Sequence, residues 1–237
     1  MAGVHAQQQV GIKVGMNMAA MEPMNEKATP YKRIVSPDLG LLINFPIESD
    51  LSLQAEVNYR TQGGKRTGIE KLTQAEMNRY HLPATMDLYA NLHNRITLNY
   101  LDIPVLIKFT KGNKLKYYMA FGPSISYLVS AKRVSNGESL VYTDEAGISI
   151  LKQDGYSATT ISQKETTTNI KGDIKKINLA FQAGWGMEYK TNAGSFFIET
   201  KLLLGATNIQ ANTATNGKTQ NTGFLLSAGY MINLKKK

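Results

Sequence analysis

The sequence has no cysteine, which excludes a disulfide framework, a thiolate metal site, a lipid anchor on cysteine and a cysteine nucleophile. No run of about 18 apolar residues occurs, which excludes a transmembrane helix but says nothing against a barrel whose strands alternate. Histidine is limited to His5, His81 and His93. The formal charge of +9 comes without a recognised nucleic-acid module, and its lysines and arginines are scattered apart from the tail Lys235-Lys236-Lys237. No nucleic-acid partner is therefore expected.

What the chain has instead is alternation. In Leu101-Asp102-Ile103-Pro104-Val105-Leu106-Ile107-Lys108-Phe109 every odd position is apolar, while the even ones include Asp102 and Lys108. From Leu115 to Val129 the odd positions are apolar again, and Lys111-Gly112-Asn113-Lys114 between the two runs reads as a hairpin turn. A period of two marks a strand with two unlike faces. The same pattern predicts strands near 10–18, 39–47, 51–60, 96–109, 115–129, 176–189, 196–204 and 223–234. Residues 61–95 and 131–173 are expected as long connections. The first should hold a short helix over about 74–80, because Thr73-Gln74-Ala75-Glu76 fits a capping box and Leu72 with Met77 a hydrophobic staple. In the second, the alternating pieces 147–151 and 158–162 extend their neighbours into a hairpin. Val4-His5-Ala6 followed by glutamines resembles the end of a secretory leader, so residues 1–9 are read as a residual leader or flexible N-terminus and 10–237 as one domain.

The connections then alternate, long after strands one, three, five and seven and short after two, four and six. The fold expected is all-β: an eight-stranded antiparallel up-and-down transmembrane barrel with short periplasmic turns, long extracellular loops and both termini periplasmic, in a bacterial outer membrane. Apolar-face aromatics form candidate girdles, with Phe45, Phe109, Tyr117, Tyr189, Phe196 and Tyr230 toward the short turns and Tyr59 and Tyr127 toward the other end. Trp185 also faces out, toward lipid or a partner within the bilayer. On the opposite face Lys13, Glu56, Arg60, Asp102, Lys108, Lys116, Lys176, Glu188, Glu199 and Lys201 should point inward among glycines and small polar residues. An eight-stranded interior is just wide enough for side chains to fill, so these charges predict an ion-paired plug, with Asp102 and Glu56 opposite Lys108 and Arg60.

Several stretches carry a family resemblance: Gly11-Ile12-Lys13-Val14-Gly15, Leu53-Gln54-Ala55-Glu56-Val57-Asn58-Tyr59 with the later Gly63-Gly64, Tyr100-Leu101-Asp102-Ile103-Pro104 with Lys108, and Gly122-Pro123. They resemble the PorT-like outer-membrane β-barrel family, over nearly the whole mature chain. The resemblance implies a Gram-negative outer-membrane protein of eight strands. It implies little about activity, since the founding member serves a secretion machine and most members have no assigned role. The chain departs from many such barrels by ending in three lysines beyond Leu234 rather than on an aromatic residue.

Chemistry can be weighed on the same residues. Glu56, Asp102, Glu188 and Glu199 could act in acid–base catalysis, but structural ion pairs explain them more simply. A hydrolase would want histidine beside serine on an inward face, and His5, His81 and His93 fall in the leader and the first long connection. The same histidines lack partners at a zinc spacing, and Asp144-Glu145 falls short of a calcium cage. No catalytic residue, metal or cofactor is expected. The expected function is that of a non-enzymatic structural or accessory subunit, whose wall and long loops meet outer-membrane lipid and proteins of a secretion or barrel-assembly complex. The alternative is a small passive channel or carrier for small or apolar solutes, with a membrane-embedded hydrolase behind it.

Overall fold

The structure, a computed structural model, describes residues 7–25, 30–153 and 157–234. The leader-like Val4-His5-Ala6 and the lysine tail lie outside them. The chain divides into two compact units, one of Met1–Gly64, Thr97–Ala131 and Ile170–Lys237, the other of Lys65–Ile96 and Lys132–Asn169. Strands β3 (Leu51–Lys71), β4 (Tyr89–Gly112) and β5 (Leu115–Tyr142) each contribute residues to both units and are much longer than the roughly 10 residues a membrane crossing needs.

The first unit is a ring. Strands β1 (Gln9–Pro23), β2 (Ile34–Pro46), β3 (Leu51–Lys71), β4 (Tyr89–Gly112) and β5 (Leu115–Tyr142) follow in order. Then come β6 (Lys152–Gln153), β7 (Ser157–Ala158), β8 (Thr160–Asn169), β9 (Ile177–Lys190), β10 (Gly194–Gly205) and β11 (Thr219–Asn233). The order β4-β3-β2-β1-β11-β10-β9-β5 is closed by the pairing of β4 with β5, giving eight strands without a free edge. β1 pairs antiparallel with both β11 and β2, placing Lys13 opposite Gly229 on one side and Gly40 on the other. The outward positions of the ring, such as Ile12, Leu41, Val105, Met119 and Ile198, are exposed and apolar, and the inward ones are buried. Helices contribute no crossing: among the described residues none is long and apolar enough to span a membrane.

Strand bounds differ from the sequence reading in two ways. β2 begins at Ile34, upstream of the predicted start, because Pro37 does not end it. Pro37 lies one residue outside the register shared with β3, which starts at Asp38 opposite Arg60, so its missing amide costs no rung on that side. Much of the two predicted loops is also strand. β3 runs to Lys71, β5 to Tyr142, and β8 pairs with β5 through Leu140 opposite Thr160. Their outward residues are polar, so the apolar alternation that reveals the ring strands is missing.

The second unit has its own core of Leu72, Met77, Leu88, Ala90, Leu92, Val141 and Ile161, with Tyr80, Leu82 and Leu151 packed against it. Helix α1 (Gln74–Arg79) sits where the capping box places it. The Thr73 Oγ1 accepts from the Glu76 amide at 3.3 Å, and the Glu76 carboxylate accepts from the Thr73 amide at 2.7 Å. The helix closes with Leu82 N donating to Met77 O at 2.9 Å and His81 N to Asn78 O at 3.3 Å. These two bonds form a Schellman close, which puts His81 at φ 54° in the left-handed region that glycine fills without penalty. The Glu76 carboxylate also accepts from Gln163 at 2.9 Å and faces Arg133 at 3.8 Å. Burial pushes Glu76 up, but the Thr73 amide, Gln163 and Arg133 hold its carboxyl below the usual range.

Replacing His81 by glycine should stabilise α1 by about 1 kcal/mol, read as slower amide exchange in residues 74–82; faster exchange would contradict the left-handed cap. Because the folded carboxyl of Glu76 titrates below its unfolded value, the stability it contributes is complete above the ordinary carboxylate range and is lost as pH falls through the lowered titration. Glu76→Gln should therefore weaken α1 protection at neutral pH and flatten its acid dependence.

Candidate functional site

The lumen of the ring holds three linked groups of charges. In the central one, Lys13 donates to Glu56 at 2.6 Å and to Glu199 at 3.3 Å, and Lys201 donates to Glu56 at 2.6 Å and to Glu199 at 2.8 Å. Two ammonium groups and two carboxylates thus alternate around a closed square. Gln54 and Asn58 donate to the remaining faces of Glu56 at 2.6 and 3.1 Å, and Tyr118 donates its hydroxyl to Glu199 at 3.1 Å. In the second group Arg60 bonds Asp38 at 2.7 Å and Asp102 at 2.9 Å. Asp102 accepts in addition from Ser126 at 2.6 Å and Gln182 at 2.9 Å. In the third, Lys108 meets Glu188 at 3.3 Å and lies 4.0 Å from the centre of the Tyr118 ring. All nine charged residues are at most 3 % exposed.

Local sequence explains how such bulky groups fit. Three of the four charges of the central square stand opposite glycines, Lys13 opposite Gly40 and Gly229, Lys201 opposite Gly184 and Glu199 opposite Gly186, while Glu56 stands opposite Leu42. A Cβ at Gly40 would lie 2.1 Å from Asn58 Oδ1 and 2.9 Å from Lys13 Cε, so the side chains themselves occupy that space. Tyr118 fills the gap above Gly186 in the same way, and Phe197 that above Gly229. Beside the charges lies an apolar cluster of Leu42, Leu106, Tyr118, Ala120, Phe197 and Met231, which alternation alone does not reveal.

One residue assigned to the lumen from the sequence stands elsewhere. Lys176 is exposed: it precedes Ile177, the first residue of β9, so the inward parity of that strand no longer binds it. Lys116 keeps the inward side, half-buried at the short-turn mouth of the lumen where it lines a cavity with Lys108 and Glu188, and makes no salt bridge among the described residues. Of the four residues expected to pair, Arg60 does meet Asp102, while Glu56 takes Lys13 and Lys201 and Lys108 takes Glu188. Asp38, absent from the sequence assignment, is fully buried. The Asp-before-Leu alternation continuing upstream past Pro37 is the signal that could have found it.

On the wall, Tyr59, Phe109, Tyr117, Tyr127, Tyr189 and Phe196 are exposed, and Phe45 and Tyr230 are half-buried. Phe196 and Tyr230 pack at 4.5 Å between ring centres. Trp185 stands opposite Met119 and Thr200, inside the wall rather than at its rim, and Phe121 links Phe109 and Phe181 at 6.2 and 6.5 Å.

The other candidate groups belong to local structure. His93 Nδ1 lies 2.6 Å from Thr67 Oγ1, and His81 caps α1. Asp144 closes an exposed turn: its carboxylate accepts from the amides of Ile148 at 3.1 Å and Ser149 at 2.5 Å, which hold it below the usual range. Among the described residues no group of three or more His, Asp and Glu draws together as metal ligands.

The sequence matches the family described as outer membrane protein beta-barrel domain over residues 5–211. Among solved structures it is similar to the Neisserial surface protein A, at 7% identity over 95% of this chain and 97% of that one, with a TM-score of 0.44. It is also similar to Ail, the attachment invasion locus protein of Yersinia pestis, at 8% identity over 96% and 100%, with a TM-score of 0.40. The outer membrane protease OmpT of Escherichia coli aligns at 10% identity over 99% of each chain, with a TM-score of 0.33. No curated protein matches the sequence.

Breaking a buried pair leaves its partner charged and unsolvated, at a cost of about 3–5 kcal/mol. Glu56→Ala should lose that much in urea unfolding from lipid vesicles. Replacing Lys13, Glu56, Glu199 and Lys201 together by methionine and leucine should recover most of it. A loss below about 1 kcal/mol in the single variant, the value of a solvated surface pair, would contradict the square.

Proposed function

We infer, for a chain that belongs to the outer membrane protein beta-barrel domain family and so lies in a bacterial outer membrane, that its role is non-enzymatic and is carried out by its surfaces. One observation supports this reading above the rest. Each of the lumen carboxylates Asp38, Glu56, Asp102, Glu188 and Glu199 is engaged by a buried cation. A carboxylate held in a buried ion pair is a poor general base and a poor lining for an ion path, since either role requires breaking the pair. The groups left to meet other molecules are the apolar wall and the second unit of residues 65–96 and 132–169.

The chain is on this reading an accessory subunit of a larger outer-membrane assembly, of secretion or barrel-assembly type. The resemblance of its Tyr100-to-Lys108 run and glycine-flanked strands to PorT-like barrels favours the secretion type. An even number of strands puts both termini on one side, and the short turns are assigned to the periplasm, as in other barrels of this kind.

The test is purification of the tagged chain from native outer membranes in mild detergent. A stoichiometric protein partner is the expected result; isolation of the chain alone and monomeric would overturn the accessory role. Planar-bilayer recording separates the alternative of a small passive channel. The plugged lumen should give no ion conductance, and steady single-channel steps that vanish on blocking the ring would favour a channel instead.

A further inference from the structure

We propose that the short-turn end of the ring carries a site for an anionic glycerophospholipid, with the headgroup held by Lys114, Lys116 and Lys190 and the two acyl chains lying in adjacent grooves on the wall. The inference rests on the short turns facing the periplasmic leaflet.

The turn joining β4 to β5 and the turn joining β9 to β10 lie side by side, tied by the Lys190 amide donating to Lys114 O at 2.8 Å. Between them is a pocket of about 480 Å³ whose lining includes those three lysines with Asn113 and Asn192. Neighbouring lysines are already committed: Lys111 to Asp50 at 2.5 Å and Lys108 to Glu188 at 3.3 Å. Lys114, Lys116 and Lys190 have no carboxylate within salt-bridge distance among the described residues. Lys114 is placed at the polar–apolar border by the Tyr189 ring, 5.3 Å from its ammonium nitrogen.

Directly beside this pocket the wall turns apolar. Leu115 pairs with Tyr189, each adjacent in sequence to a lysine of the pocket, and both line a groove of about 610 Å³ with Phe196 and Tyr230. A second groove of about 650 Å³ runs past Tyr117, Met119 and Trp185. The two grooves share Met187 and Ile198, which face each other across β9 and β10 and form the ridge between them. Two apolar grooves near a cluster of three cations, none of them in a salt bridge among the described residues, match two chains on one phosphate. A zwitterionic headgroup would bring its own cation against three lysines, so an anionic lipid is favoured.

The test is native mass spectrometry of the full chain released from micelles holding equimolar phosphatidylglycerol and phosphatidylcholine. Retention should favour phosphatidylglycerol by about tenfold or more, since each lysine near a headgroup is worth roughly fivefold. K114Q/K116Q/K190Q should bring the ratio close to one. K175Q/K176Q, which alters exposed lysines before the opposite end of β9, should leave it unchanged. Soluble glycerophosphate, which has the charge without the chains, should not displace the lipid. Equal retention by the wild-type chain, an unaltered preference in the triple variant, displacement by glycerophosphate, or preferential retention of lipopolysaccharide through the same lysines would each overturn the proposal. The wild-type comparison stands even if the triple variant fails to fold.

Discussion

Four cations and five carboxylates stand buried inside a ring of eight strands, and their pairing is the constraint on which the rest of the unit depends. An isolated ion away from water costs several kcal/mol even after relaxation. Glu56 meets this by accepting from Lys13, Lys201, Gln54 and Asn58 at once. Those donors come from β1, β3 and β10, so the network holds the register of strands that are not all neighbours. The glycines opposite Lys13, Lys201 and Glu199 follow from the same close packing, because a Cβ there would enter space filled by Lys13 and Asn58 at Gly40, Lys201 at Gly184, Tyr118 at Gly186 and Phe197 at Gly229.

The wall is the counterpart of the plug. Alternation sends each strand's polar set inward and its apolar set outward, and a slip of one residue would expose the charges to lipid at about 2–4 kcal/mol for a lysine or arginine near the midplane. Closing the ring removes the free edges that a bilayer would leave unsatisfied. The second unit is stabilised differently, by a small apolar core and a doubly capped helix. There the Glu76 carboxylate sits in a local hydrogen-bond network with Thr73 and Gln163, and Arg133 lies 3.8 Å from both Glu70 and Glu76.

Much of this is legible in the sequence, and what is not has physical reasons. Period-two patterning reports which face a residue occupies, so Lys13, Glu56, Asp102 and Glu199 could be placed inward from sequence alone. It does not report which inward residues meet across the lumen, since that depends on stagger between strands, and so Arg60 was not matched to Asp38. Patterning also fails at strand ends: Lys176 has the right parity but precedes the first ladder residue of β9. The upper parts of β3, β4 and β5 pair through their backbones while carrying polar residues outward, and they read as loop. Helix α1 was legible because its caps are local, whereas His81 was not, because a left-handed cap without glycine has no sequence signature.

The most direct test of the central claim is to follow the ammonium groups of Lys13 and Lys201 by 15N NMR of the folded chain in bilayers. If the square exists, both groups will show slowly exchanging protons and through-space contacts to the side-chain carboxyl carbons of Glu56 and Glu199. Ammonium protons that exchange with water as fast as those of the exposed Lys175, with no such contacts, would mean that the lumen is hydrated and the plug absent.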